Sequence, residues 1–257
     1  MFNIFRSKET KQKIYEADLA QRLEADKQQL IADLENKGME FLVTKMSSNE
    51  EYSPLVLERR KIDLSYGSED SASWYAYKQS DKLHSDKDKS TLLALLENEK
   101  FLEYNKYIYC CLACICANTN NKDLFNFLVE KVQQEDDEST RISILSRLQV
   151  VKKGEGYNIE PLKGFVKDGT QGETRAALRA LSNSTDVEVE DIFLEEFKFS
   201  DRHMKAAICG PLSTVGTLKS IPVLQQAYKN TRDRGLKMCI EGAISTIEKR
   251  ANSSSQV

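Results

Sequence analysis

From about residue 91 onward, apolar and polar positions alternate with the period of an α-helix, and the pattern itself repeats. A basic residue followed three positions later by an apolar one recurs every 30 to 34 positions, at Arg141, Arg175, Lys205 and Lys237. A second apolar residue follows at seven positions in three segments and at six in the other: Leu148, Leu212, Ile244 and Leu181. These spacings place the apolar residues on one helix face, and recurrence at this interval predicts a repeat architecture.

Acidic residues precede the bases. Asp137, Asp201 and Asp233 each lie four positions before a base, and Glu173 is a nearer substitute in the second segment. An acid at a helix start can cap free backbone amides and pair with a base one turn further on. We therefore predict a structural ladder, with no ligand role, formed by Asp137, Arg141, Arg175, Asp201, Lys205, Asp233 and Lys237.

A second set of helix starts lies between these segments. Asn158 and Ser220 are polar residues followed, within three positions, by Pro161 and Pro222, and proline favours the first turn of a helix. Segments beginning near Asp123 and Glu190 occupy equivalent places without proline. The pattern predicts four to five stacked helix pairs over residues 91–250, because one short pair cannot bury its apolar stripe alone.

The rest of the chain lacks this repeat. Residues 1–64 are predicted to be an N-terminal helical segment, with Ile14, Leu19, Leu23 and Leu34 on one face of a long helix or a broken pair. The segment at Ser53-Pro54 is compatible with two alternatives, the start of a helix or a strand. Residues 65–90 are rich in serine and predict a polar connection or a small hairpin, and residues 251–257 a disordered tail.

The repeated Asp-x-x-x-Arg/Lys-x-x-apolar element at Asp137/Arg141, Asp201/Lys205 and Asp233/Lys237 resembles the HEAT-repeat family, in particular the short bacterial HEAT-like repeats. The resemblance covers residues 91–250. It implies an all-α fold, a right-handed armadillo-like α-solenoid, in which the second helix of each pair lines a concave face that binds another macromolecule.

On this resemblance we expect a non-enzymatic protein-binding or scaffold protein. Side chains that the apolar pattern leaves free on the second helices are the candidate contacts: Arg147, Arg179, His203 and Glu241. Trp74, Tyr75 and Tyr77 form a candidate second patch, with burial against the helical body as the alternative. A homodimer is an open possibility.

The alternative function is a HEAT-like nucleic-acid-binding protein or DNA glycosylase-like enzyme, which would need a basic channel with an aromatic residue. Arg141, Arg147, Arg175 and Arg179 with Trp74 only loosely match that requirement. Residues 90–257 carry 22 basic and 23 acidic side chains, so they have no basic excess to concentrate there. The His-Glu pairs of di-iron HEAT hydroxylases are missing, because Ser85 follows His84 and Met204 follows His203.

Composition and net charge limit the remaining classes of function. The chain has 257 residues and a net charge of −3, which gives no global attraction to nucleic acid or anionic lipid. The apolar run from Tyr107 to Ala117 is too short to span a bilayer. The apolar residues Phe2, Ile4 and Phe5 are compatible with a third function class, a peripheral membrane adaptor. Four of the six cysteines lie within residues 110–116. This grouping indicates that the protein is located in a reducing cytoplasm and that these cysteines serve as small packing residues, with a metal site as the alternative. We predict no cofactor.

Overall fold

The chain folds almost entirely as helices. The computed structural model describes residues 2–63 and 67–254, with side chains from residue 8 to residue 253. These residues form fourteen α-helices and three 3₁₀ turns, and within them β-structure is limited to two isolated bridges. The all-α prediction is therefore confirmed. The chain divides into two compact units, Met1–Cys111 and Leu112–Val257. That division lies inside a helix and not in the predicted segment 65–90.

The first unit contains five helices and the beginning of a sixth. They are α1 (Phe2–Asn36), α2 (Met39–Met46), α3 (Leu55–Ile62), α4 (Ala72–Ser80), α5 (Asp86–Leu96) and α6 (Asn105–Thr119). The N-terminal segment is a broken pair, because Gly38 takes a φ of 84° between α1 and α2. Leu19, Leu23 and Leu34 are buried as predicted, whereas Ile14 is 64% exposed.

The predicted connection over residues 65–90 is wrong where the structure describes it. That segment contains all of α4 and the first turn of α5. Two of the serines that suggested a loop are helix caps, since the Ser71 hydroxyl accepts from the amide of Trp74 and the Ser85 hydroxyl from that of Asp88. At Ser53 the helix alternative holds, because α3 begins at Leu55 and the Ser53 hydroxyl accepts from its amide.

A buried carboxylate holds the loops of the first unit together. Asp70 is 2% exposed, and both of its oxygens accept from the Arg59 guanidinium at 2.6 Å. The neighbouring Arg60 pairs with Glu51, and an antiparallel bridge joins Glu51 to Ser71. Because both arginines come from α3, these bonds fix α3 against the turn that leads into α4.

The second unit consists of consecutive helix pairs. The first helices are α7 (Lys122–Gln134), α9 (Glu160–Asp168), α11 (Glu188–Phe199) and α13 (Ser220–Asn230). The second helices are α8 (Glu138–Arg147), α10 (Gln171–Ala180), α12 (Arg202–Val215) and α14 (Arg234–Ser254). Each second helix contacts the next one along the chain, from α8 to α14, and the helices of each pair contact each other. Pro161 and Pro222 lie in the first turns of α9 and α13, as predicted.

The caps correct the alignment of the second helices. Asp137, Asp201 and Asp233 accept amide hydrogens at the starts of α8, α12 and α14, but the equivalent cap of α10 is Thr170. The position seven after each cap is then fully buried in every pair: Ile144, Ala177, Ile208 and Ile240. Thr174, and not Arg175, therefore occupies the predicted column of bases. This also removes the irregular six-residue spacing to Leu181.

Two asparagines join the loops of successive pairs. Asn120 and Asn183 lie in the turns that follow α6 and α10 with φ of 53° and 58°, a conformation that asparagine tolerates better than most residues. The Asn120 side chain accepts a hydrogen bond from the Lys152 amide at 2.7 Å and donates one to the Lys152 carbonyl. The Asn183 side chain donates to the Gln149 carbonyl at 3.1 Å. The turns that follow α6, α8 and α10 are thus held to one another by hydrogen bonds to backbone groups.

The end of the second unit is held by one arginine. Arg250, on α14, donates to the carbonyl oxygens of Ser213, Thr214 and Gly216, at and beyond the end of α12. These carbonyls have no intrahelical partner, so the guanidinium stabilises the helix end. The predicted disordered tail is wrong for residues 251–254, which continue α14, and residues 255–257 lie outside the described residues.

Candidate functional site

The two predicted arginines of the binding face have different surroundings. Arg147, at the end of α8, is half-buried, and its guanidinium lies 2.9 Å from the Cys114 sulfur on α6. Arg179, at the end of α10, is exposed and lines a groove. Arg147 therefore contributes to packing, and Arg179 is the one of these two arginines that faces an open groove.

This groove, which we call the Arg179 groove, has a volume of about 610 Å³. It crosses α10 and α12 and reaches the turn after α8. Its lining residues are Gln149, Val150, Arg179, Ser182, Asn183, Ala206, Ala207, Gly210, Pro211 and Thr214. Small residues on α12 leave the floor open, and Val150, 54% exposed, provides an apolar edge. The groove thus combines one cation, one exposed aliphatic residue and several backbone and hydroxyl groups.

The chemistry of the Arg179 groove suits binding. Among its described lining residues Arg179 is the one charged group, and a guanidinium does not act as a general base. The Asn183 side chain is held by the Gln149 carbonyl, and the Thr214 hydroxyl interacts with the Asn183 amide and the Pro211 carbonyl. These polar groups are fixed before any partner arrives, which lowers the entropy cost of binding.

His203 and Glu241 lie away from this groove. His203 is exposed in the first turn of α12, where its backbone amide donates to Asp201 and its ring lies 3.2 Å from the Arg202 Nε. Glu241 is exposed on α14 and accepts a hydrogen bond from the Tyr228 hydroxyl, which raises the pKa of that tyrosine. The four predicted contact residues therefore do not form one site.

The three predicted aromatic residues lie on α4, in the first unit. Tyr75 is buried and makes edge contacts with Tyr52 and Trp74, with ring centroids 5.6 and 4.9 Å apart. Trp74 and Tyr77 are half-buried, and Lys78 lies over the Trp74 ring. Burial against the helical body, the alternative interpretation, therefore fits Tyr75, and contact of Trp74 and Tyr77 with a partner stays a prediction.

The basic residues Arg141, Lys205 and Lys237 of the predicted ladder contact side chains of other helices. Arg141 pairs with Glu173 of the next second helix, which is 4% exposed and forms a capping box with Thr170. Burial raises the pKa of Glu173, but hydrogen bonds from Thr170 and Arg141 outweigh burial and lower it overall. Lys205 and Lys237 instead lie over aromatic rings of the preceding first helices, 5.9 Å from Phe197 and 4.8 Å from Tyr228.

Two further ladder positions are anchored at helix starts. The amide of Met204 lowers the pKa of Asp201, and the amide of His203 and the charge of Arg175 act in the same direction. The amide of Leu236 likewise lowers the pKa of Asp233, which also pairs with Arg202 at 3.2 Å. Arg175 is half-buried, and its Nε has no hydrogen-bond acceptor among the described residues.

Two additional grooves lie where first helices end and second helices begin. The basic groove, about 670 Å³, is lined by Phe197, Lys198, Arg202, Lys205, Pro222, Val223, Gln226, Ala227, Asn230, Thr231 and Leu236. The acidic groove, about 500 Å³, is lined by Gln133, Glu135, Asp136, Arg141, Pro161, Gly164, Phe165, Asp168, Gly169 and Glu173. Neither groove was predicted from the sequence.

Sequence reasoning also missed two buried groups in the second unit. Glu190, 7% exposed, accepts from the Thr217 amide and hydroxyl and from the Ser220 hydroxyl, so it anchors the turn that leads into α13. Lys153, 1% exposed, donates to the carbonyl oxygens of Leu148 and Val151. Burial lowers the pKa of Lys153 to about 7, although the Cys116 sulfur acts in the opposite direction.

The clustered cysteines of α6 are packing residues. All four are buried; Cys111 lies 3.4 Å from the Met46 sulfur, and Cys116 contacts the Asn121 carbonyl. In residues 2–63 and 67–254 no group of three or more His, Cys, Asp or Glu side chains is arranged to hold a metal ion. No helix in the same ranges has the length and apolar character needed to cross a bilayer.

Comparison of the chain with protein-family models, with curated proteins and with solved structures gives no match, so the candidate site rests on the geometry of this chain.

Proposed function

We propose that this protein is a non-enzymatic interaction or scaffold protein that binds another protein in the Arg179 groove. In this proposal the second unit is a right-handed HEAT-like α-solenoid, and the groove lies on the face formed by its second helices. The observation that carries the proposal is the groove itself, a preformed concavity across α10 and α12 with one cation and an exposed valine.

The packing of the second unit supports the solenoid assignment. Its second helices contact one another in chain order, and α7 contacts α9 as α11 contacts α13. Each second helix buries an apolar residue seven positions after its cap, so each pair completes the core of its neighbour. A stack of this kind presents one side of every second helix to solvent.

The composition of the groove supports a protein partner over nucleic acid. A single arginine cannot follow a phosphate backbone, which requires several regularly placed cations. Arg141 lines the acidic groove instead and is already paired with Glu173. Arginine beside an apolar residue is, by contrast, a common composition for the anchor of a protein interface.

A pull-down from a native lysate with full-length protein tests this proposal. The groove variant carries Val150→Glu and Arg179→Glu, both at exposed positions. The matched control carries Leu218→Glu and Arg232→Glu, one exposed aliphatic and one exposed arginine outside the groove. Arg147 is left unchanged, because it contacts the buried Cys114 sulfur and its reversal would disturb packing.

We expect a protein to be retained by the wild type and the control, lost by the groove variant and unaffected by nuclease. Retention by all three proteins would exclude the Arg179 groove as the binding surface. Loss of every retained partner after nuclease treatment would instead support the nucleic-acid-binding alternative.

A further inference from the structure

The basic and acidic grooves occupy equivalent positions in the second unit. The acidic groove lies between the end of α7, the start of α8, helix α9 and the start of α10. The basic groove lies between the end of α11, the start of α12, helix α13 and the start of α14. Pro161 and Pro222, which begin α9 and α13, occur in corresponding places. The same surface is thus presented twice, two helix pairs apart.

The charges that remain available in the two grooves are opposite. In the acidic groove Arg141 is neutralised by Glu173, whereas Asp136 and Asp168 are exposed and have no ion pair among the described residues. In the basic groove Arg202 pairs with Asp233. There Lys198 is exposed with no acidic partner in the described part of the chain, and the Lys205 ammonium lies 5.9 Å from the centre of the Phe197 ring.

An exposed aromatic residue stands beside the basic groove. Phe199, the last residue of α11, is 82% exposed and directly follows Lys198. The acidic groove offers a complementary surface, because Pro161 and Phe165 contribute apolar atoms between its carboxylates. A large exposed aromatic side chain flanked by a cation is the kind of residue that anchors protein interfaces.

We propose that these grooves pair two copies of this chain. The basic groove and Phe199 of one copy face the acidic groove of the other, and the reverse contact forms at the same time. A two-fold axis between equivalent surfaces exchanges them, so the interface is isologous and the assembly closes as a dimer. This inference is independent of the Arg179 groove, which lies on a different set of residues.

A second copy is favoured over an unrelated acidic peptide because both halves of the contact are present in one chain. A peptide would explain the basic groove, but it would leave the acidic groove and its position two pairs earlier without a role. Self-pairing accounts for both grooves with one arrangement.

Charge reversal tests the proposal, with light scattering on a sizing column at low ionic strength as the measurement. One variant carries Lys198→Glu with Lys205→Glu, and another carries Asp136→Lys with Asp168→Lys. The control for the first carries Lys152→Glu with Lys249→Glu, exposed residues outside both grooves. Circular dichroism confirms that each variant remains helical, and Phe199→Ser tests the aromatic contact.

We expect wild type and control to be dimeric, and each groove variant to be monomeric with dimer affinity reduced about a hundredfold or more, because like charges then face each other. The sharpest result is the mixture: equal amounts of the two reversed variants should form a heterodimer. A monomeric wild type, a dimer that survives both reversals, or a mixture that stays monomeric would each overturn the proposal.

Discussion

The buried Lys153 amine makes the stability of the protein depend on pH in an unusual direction. Its Nζ lies among the carbonyl oxygens of Leu148 and Val151 and 5.9 Å from the centre of the Phe125 ring. Burial lowers its pKa from 10.5 to about 7. Between these values the unfolded chain holds a proton that the folded chain has released, so the free energy of unfolding rises as pH rises.

The magnitude follows from the two pKa values. One pH unit is worth up to about 1.4 kcal/mol for a group charged in only one of the two states. Between pH 7 and 9, with half of the folded amines already neutral at pH 7, the expected gain is about 2 kcal/mol. Buried thiols oppose this at higher pH, because burial raises the pKa of Cys116 and Cys209 to about 12. The window therefore ends at pH 9.

The assay is urea denaturation at pH 7, 8 and 9, comparing wild type with Lys153→Met. Far-ultraviolet circular dichroism is the appropriate signal, because the single tryptophan, Trp74, belongs to the first unit. Methionine keeps the aliphatic volume and removes the titrating group. Lys152→Met is the control, since Lys152 is the exposed neighbour in the same loop.

Only the difference in pH dependence decides the prediction. Methionine leaves two carbonyls without their donor, so the absolute stability of Lys153→Met at pH 7 combines opposing effects. We expect the wild type and Lys152→Met to gain about 2 kcal/mol relative to Lys153→Met between pH 7 and 9. Parallel curves for all three proteins would refute the argument and would mean that water reaches the amine.

Four further substitutions test the packing of the second unit by chemical denaturation. Glu173→Ala should lower the free energy of unfolding by about 2–4 kcal/mol, because it leaves Arg141 without its carboxylate and removes half of a capping box. An effect under about 1 kcal/mol would show that the ion pair contributes little to stability. Glu190→Ala should cost about 1–3 kcal/mol, because it leaves the Thr217 amide and the buried Ser220 hydroxyl without their acceptor, measured against the wild type at constant pH. Gly216→Ala should destabilise the protein by about 1–3 kcal/mol, because the added Cβ would lie 2.5 Å from the Leu212 carbonyl oxygen. Gly242→Ala, which has open space around it, should stabilise the protein by about 0.5–1 kcal/mol. A change of the same sign for both glycines would contradict this reasoning.

Local signals predicted the helices of the second unit well. An aspartate before an apolar stripe and a proline in a first turn act within a few residues, so the sequence contains their whole mechanism. The same reasoning failed at α4, because serine is common both in loops and at helix caps. Ser71 and Ser85 were interpreted as loop residues, yet each caps a helix.

Pairing between elements was not predictable in the same way. Arg141 could have reached Asp137 within its own turn, but the carboxylate it bonds is Glu173, 32 positions later. The three grooves draw residues from three or four separate segments each, so no spacing in the sequence marks them. The displaced alignment of α10 had one visible signal, the six-residue interval to Leu181, which a cap at Thr170 explains.

The three carbonyl contacts of Arg250 bear on how the chain folds as it is synthesised. Helix α12 ends at Val215, but the guanidinium that satisfies its last carbonyls belongs to residue 250. A growing chain therefore exposes an incomplete α12 terminus until α14 has been made and released. The last pair can close only after residue 250 has left the ribosome, so a ribosome stalled within α14 would display an open end that proteases and chaperones can recognise.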